Sequence, residues 1–239
     1  MIKFETIIYG NSEATFAGTI CYDDEISALK PGVLVVHTFK GQTDFEVGKA
    51  VELAKLGYVG FAIDMYGKDI RPETPDEARA AMNVLNTDRS LLLKRIKLAL
   101  ETLKNHEQVD KTKLGAIGFC FGGKCVLDLV RANAEITGVV SFHGVYDKPL
   151  IEQDSQIKSS VLVLHGWDDP LNHPPQTVEL AEELTERKAD WQILSFGNTG
   201  HSFTNPNANM PENGLVYNEL SNNRAWLAMK NYFEELFAR

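Results

Sequence analysis

The sequence predicts an α/β protein: a mostly parallel sheet of about eight strands with helices on both faces, in one continuous domain over residues 1–239. Three observations carry that reading. Short apolar runs of the kind expected for strands covered on both faces alternate with segments of helical period. A glycine-flanked turn, Gly118-Phe119-Cys120-Phe121-Gly122-Gly123, joins one such run directly to a helix. No repeat, low-complexity tract or Pro/Gly/Ser-rich linker interrupts the 239 residues.

The N-terminal part alternates. Phe4 to Tyr9 and Thr15 to Tyr22 are strand-like, and Gly10-Asn11-Ser12-Glu13 is the turn between them, so an antiparallel hairpin at a sheet edge is expected. Lys30-Pro31-Gly32 breaks the chain, and Gly32 to His37 is a continuous apolar strand followed by the loop Thr38-Phe39-Lys40-Gly41. Phe45 to Leu56 has helical spacing and stops at Gly57. Tyr58 to Ile63 is the next buried strand, ending in Asp64-Met65-Tyr66-Gly67. Thr74-Pro75-Asp76-Glu77 starts a helix, with Thr74 as N-cap, proline at the first position and glutamate at the third. Residues 88–105 form an amphipathic helix with Leu91, Leu92, Ile96, Ala99, Leu100 and Leu103 on its apolar side. Lys113 to Ile117 is a strand and Lys124 to Val130 a helix. Strands at Thr137–Phe142, Val161–Gly166 and Trp191–Phe196, a helix from Pro174 to Lys188 and a closing helix from Asn218 to Phe237 complete the pattern.

The turn at Gly118–Gly123 is the pattern of a nucleophile elbow, in which a sharp strand-to-helix turn lifts its central side chain off the sheet at the positive end of the helix. Here that side chain is the thiol of Cys120. In open α/β sheets, sites form beyond the carboxyl ends of the strands, so the polar residues there are the candidates. Asp168-Asp169 follows the strand ending at Gly166, and His201 follows the strand ending at Phe196. Nucleophile, acid, histidine is the chain order of α/β-hydrolases. A thiol needs a base or a helix terminus to become the reactive thiolate, and a carboxylate orients the ring and stabilises the imidazolium. Asp169, third after Gly166, is chosen as the acid, with Asp168 as the fallback. The oxyanion donors are expected to be the backbone N–H groups of Phe121 and Phe39.

His37, His143 and His165 also lie at strand ends. His165 reads as a packing residue, and His37 either lines the pocket or makes a core hydrogen bond. Phe119, Phe121, Trp167 and Phe203 form either an apolar substrate pocket or core. Cys21 and Cys125 read as packed small residues.

A net charge of −9, with lysine and arginine scattered, argues against non-specific binding to nucleic acid or an anionic membrane. Hydrophobic residues make up 44% and charged residues 24%, the balance of a soluble globular chain. Met1 to Glu5 lacks the apolar core of a signal peptide, and no stretch is long enough to span a bilayer. Three cysteines without framework spacing fit a reducing compartment, so a cytoplasmic protein is expected. Cys120 and Cys125 have no companion ligands for zinc, and neither metal nor cofactor is expected. A homodimer is left open.

The elbow, with Pro31 to His37, Asp64-Met65-Tyr66-Gly67, Val163-Leu164-His165-Gly166-Trp167-Asp168-Asp169-Pro170 and Gly200-His201-Ser202-Phe203, resembles the dienelactone hydrolase family through nearly the whole chain. The resemblance implies a single α/β-hydrolase domain, a Cys120–His201–Asp169 triad and hydrolysis of a small-molecule lactone or ester through a thioester. The candidate substrate-facing residues are Thr38 and His37, with Phe119, Trp167 and Phe203. Two positions depart from the family pattern: Thr38 stands where its name-giving enzymes carry a glutamate, and Asn205 stands near where they carry a carboxylate-binding arginine. A neutral ester is therefore the expected substrate, with promiscuity toward activated aryl esters and phosphotriesters. The competing reading is a redox-sensing or ligand-binding protein that uses the elbow thiol without hydrolysis.

Overall fold

The computed structural model describes residues 1–149 and 155–239. The predicted class is observed: eight strands form a mostly parallel sheet accompanied by α-helices. The chain divides into two compact units, Met1–Ile117 and Gly118–Arg239.

In the first unit, β1 (Ile2–Gly10) and β2 (Thr15–Asp23) pair antiparallel from Ile2↔Asp23 to Gly10↔Thr15, with β1 outermost, as the hairpin reading required. The Asn11 side chain accepts the Glu13 and Ala14 N–H groups and closes the turn. β4 (Val59–Ala62) pairs antiparallel with β2 and parallel with β3 (Lys30–Val36). Between β3 and β4 runs α1 (Asp44–Lys55), started by a capping box of Thr43 and Glu46. α2 (Pro75–Thr87) begins with the capping box read from Thr74 and Glu77, because both orphan backbone donors there find a side-chain oxygen. α3 (Arg89–Lys104) buries Leu92, Ile96, Ala99, Leu100 and Leu103, while Leu91 at the stripe's margin stays half-buried. β5 (Val109–Phe119) follows it and runs across the division between the units.

The second unit holds α4 (Phe121–Arg131) and the parallel strands β6 (Gly138–Phe142), β7 (Ser160–Gly166) and β8 (Trp191–Phe196), with α5 (Pro174–Glu186) between β7 and β8. A small ribbon of β9 (Asn209–Met210) and β10 (Leu215–Val216) precedes α6 (Glu219–Ala238).

Every residue of α4 is buried, its charged ones included. The Arg131 guanidinium donates to both carboxylate oxygens of Glu183 (3.0 and 2.9 Å), to Asp128 (3.3 Å) and to the carbonyl of Tyr146 (2.9 Å). Lys124 pairs with Asp147 at 2.8 Å. Bidentate geometry offsets the desolvation of such charges. Removing the arginine would take the bidentate partner from Glu183 and leave it only the longer contacts to Arg187 (3.9 Å) and Lys148 (4.0 Å). Arg131→Met is accordingly expected to cost about 3–5 kcal/mol of stability, measured by urea unfolding.

Candidate active site

The elbow is built by close approach. A Cβ at Gly118 would lie 2.1 Å from the carbonyl oxygen of Gly122, and one at Gly123 would lie 2.5 Å from Cα of Gly144. Both obstacles are backbone, so neither position can carry a side chain without moving the turn. Between them Cys120 sits at φ 55°, ψ −114°, a conformation that L-residues rarely adopt and that persists only when its surroundings impose it. Part of that imposition is visible: the Cys120 N–H donates to the Phe142 carbonyl at 3.1 Å, and the Gly123 N–H donates to the Cys120 carbonyl at 3.0 Å.

Acid and base arrive from the ends of β7 and β8. The Asp169 carboxylate is fully buried; one oxygen accepts the Leu171 N–H at 2.8 Å and the other accepts His201 Nδ1–H at 2.7 Å. Asp168, the fallback, is exposed. The two strand ends meet closely, since a Cβ at Gly166 would lie 2.4 Å from the Gly200 carbonyl oxygen. His201 itself is held by the ribbon: its N–H donates to Gly214 (2.8 Å) and its carbonyl accepts from Val216 (3.2 Å).

Nε2 of His201 is buried, and the Cys120 thiol acts on it electrostatically. Burial opposes the charge of both groups, yet each overcomes it for the other. Burial would lower the His201 pKa, but Cys120 and Asp169 push it up to about 10. Burial would raise the Cys120 thiol, but the charge of His201, its hydrogen bond and the Phe121 N–H bring it below the usual thiol value. The thiol, the imidazole and the carboxylate thus stand in sequence, with the carboxylate on the far ring nitrogen of His201.

The other expected residues fall into distinct places. Phe119 is fully buried and stacked on Phe142 with ring centroids 4.8 Å apart, and Phe203 is fully buried between Phe196 and His143. Of the two readings open for them, both take the core one, because neither ring reaches solvent. Trp167 is 45% exposed. His165 is buried, with Tyr146 Oη on one ring nitrogen and Thr177 Oγ1 on the other, which is the packing role expected. In the first unit, His37 is fully buried; Nδ1 donates to the Thr38 carbonyl (2.6 Å) and Nε2 accepts the Met65 N–H (3.1 Å). It makes the core hydrogen bonds that were its alternative to lining a pocket, and burial keeps it neutral. Thr38 and Phe39 are half-buried; the Thr38 N–H donates to the buried Glu46 carboxylate (3.2 Å), and the Phe39 carbonyl accepts from Tyr66 Oη (2.7 Å). Among the described residues, no group of three or more His, Cys, Asp or Glu could hold a metal ion. No described helix is long and apolar enough to cross a membrane.

The ribbon behind His201 was not read from the sequence, although Pro211-Glu212-Asn213-Gly214 is a turn signal that marks it; Gly214 takes the left-handed conformation there. His143, read only as a strand-end histidine, lies against His201 with ring centroids 4.9 Å apart.

The fold is that of an α/β-hydrolase. The chain belongs to the dienelactone hydrolase family, which it matches over residues 17–237. It is accordingly a lactone or ester hydrolase. Among solved structures it is similar to a dienelactone hydrolase-like promiscuous phosphotriesterase from metagenomic libraries, at 35% identity and TM-score 0.93 over 98% of both chains. An uncharacterized protein of Caenorhabditis elegans is 37% identical over 161 residues, 64% of this chain and 100% of that one. A probable 2-oxo-3-(5-oxofuran-2-ylidene)propanoate lactonase of Bradyrhizobium sp. is 26% identical over 187 residues, 74% of this chain and 75% of the relative.

Proposed function

We propose that this protein hydrolyses neutral carboxylic esters or lactones through a thioester on Cys120, with His201 and Asp169 completing the triad. The observation that carries the reading is the chain of interactions from Asp169 through the 2.7 Å hydrogen bond to His201 and on to the elbow thiol. The Cys120 thiolate attacks the substrate carbonyl carbon. Its oxygen becomes an oxyanion that accepts a hydrogen bond from the Phe121 N–H. Collapse breaks the bond to the leaving oxygen, which takes the proton from His201. Water then attacks the thioester carbonyl while His201 takes its proton, and the acid leaves as the thiolate and imidazolium re-form.

The preference for a neutral substrate rests on Asn205, which offers no positive charge; its side chain accepts the Asn207 N–H at 2.9 Å within its own turn. The similar promiscuous phosphotriesterase supports activity on phosphotriesters as a side reaction. The family match runs through both compact units, which supports one catalytic domain over 1–239. A cytoplasmic protein, with a homodimer as its open assembly, belongs to the same proposal. The reading as a non-hydrolytic sensor is set aside, because a sensor has no need of a complete acid and base.

A panel of neutral esters, anionic lactones and phosphotriesters tests it. Neutral esters should be turned over best, and a strong preference for anionic lactones would reject the substrate assignment. The pH profile has a defined sign. His201 must be protonated to release the leaving group, so turnover should fall as pH rises through about 10. Cys120 lies below the usual thiol pKa, so the acid limb should fall below about 8.5.

A further inference from the structure

We infer that His143 is a positioning residue for the base His201, tying the loop that carries it back to the end of β6. The inference rests on the triad proposed above. His143 follows Phe142, whose carbonyl anchors the Cys120 N–H, so one short segment braces both nucleophile and base. Its own N–H donates to the Leu164 carbonyl at 2.8 Å, and its backbone turns to φ 37°. The ring is buried and stands at 66° to the His201 ring, 4.9 Å between centroids. On its other sides are Phe203 at 5.2 Å and Phe119 at 6.1 Å. Nε2 is hydrogen-bonded to Thr204 Oγ1 at 2.8 Å, and Thr204 is buried in the same loop as His201.

Packing alone does not explain a histidine here. Nδ1 of His143 is buried with no hydrogen-bond partner, a penalty that phenylalanine would avoid while filling the same space. What phenylalanine would lose is the link to Thr204. That link limits rotation of the base away from Cys120, and small misplacements of a catalytic group are expensive. The titratable group facing the ring is His201, with Cys120 and Asp169 paired to it in turn. Burial, and then the charge of His201, keep His143 neutral, so it does not compete for the proton.

The test follows the rate of Cys120 alkylation by iodoacetamide against pH, together with kcat and KM for p-nitrophenyl acetate. His143→Asn removes the ring but tolerates the left-handed backbone. Thr204→Val removes only the hydrogen bond, and Thr204→Ser keeps it. His143→Asn should lower kcat by about tenfold or more with little change in KM, and should move the alkylation limb up by about one pH unit. Thr204→Val should shift both in the same direction by less, and Thr204→Ser should behave as wild type. If His143→Asn does not fold, as judged by its melting transition, Thr204→Val decides. A wild-type limb below the free-thiol value that neither variant moves overturns this inference alone, even if kcat falls. A wild type that lacks such a limb overturns the triad reading and this inference with it.

Discussion

Cys120→Ala should lower kcat/KM for p-nitrophenyl acetate by at least about 10³-fold while the protein stays folded. The size of the effect follows from the elbow. No other nucleophile is offered at this turn, and the two remaining cysteines, Cys21 and Cys125, are fully buried. Burial pushes the Cys21 thiol up to about 11, away from reactivity. Alanine at the same backbone conformation keeps the contacts that hold the turn, namely the Cys120 N–H on Phe142 and the Gly123 N–H on the residue 120 carbonyl. Circular dichroism and the unfolding midpoint should therefore change little. Cys120→Ser should retain weak turnover, because His201 and the elbow remain but a hydroxyl is far less acidic than a thiol. Undiminished turnover in Cys120→Ala would overturn the account.

His201→Ala should be as damaging, and through two routes at once. The leaving group loses its proton donor, and the thiol loses the partner that brings its pKa down. A fall in kcat of about 10³–10⁴-fold is expected, with alkylation of Cys120 at neutral pH slowed in parallel. Asp169→Asn separates the roles. The amide can keep the Leu171 N–H through its oxygen, but it carries no charge to stabilise the imidazolium and can offer N–H where His201 Nδ1–H needs an acceptor. Turnover should fall by about 10³–10⁴-fold while the elbow geometry survives. Stopped-flow alkylation beside steady-state kinetics reads both effects.

How much of this was legible in the sequence depends on distance along the chain. Local signals transferred well. The capping box at Thr74 and Glu77, the apolar stripe of α3 and the elbow glycines are each set by neighbours within a few residues, and each appears as read. The pairing of Asp169 with His201 was legible because strand ends gather residues on one rim, whatever their separation in sequence. What escaped depends on long-range partners. Spacing after Gly166 selects Asp169 over Asp168, but the hydrogen bond Asp169 makes to His201, 32 positions further on, is a long-range contact that spacing does not give. The buried charges of α4 are tolerable only because Arg131 meets Glu183 from another helix. His37 could not be assigned to pocket or core until Met65 and Thr38 were seen on its two nitrogens. The contacts of His143 with His201 and Thr204 likewise join residues far apart in sequence, 61 positions in the case of Thr204.

The most direct test of the central claim is to quench the enzyme during turnover of p-nitrophenyl acetate and map the acyl group by peptide mass spectrometry. The account predicts a hydroxylamine-labile acetyl group on the peptide containing Cys120, absent from Cys120→Ala. Turnover by the wild type with the acetyl group on another residue would contradict it.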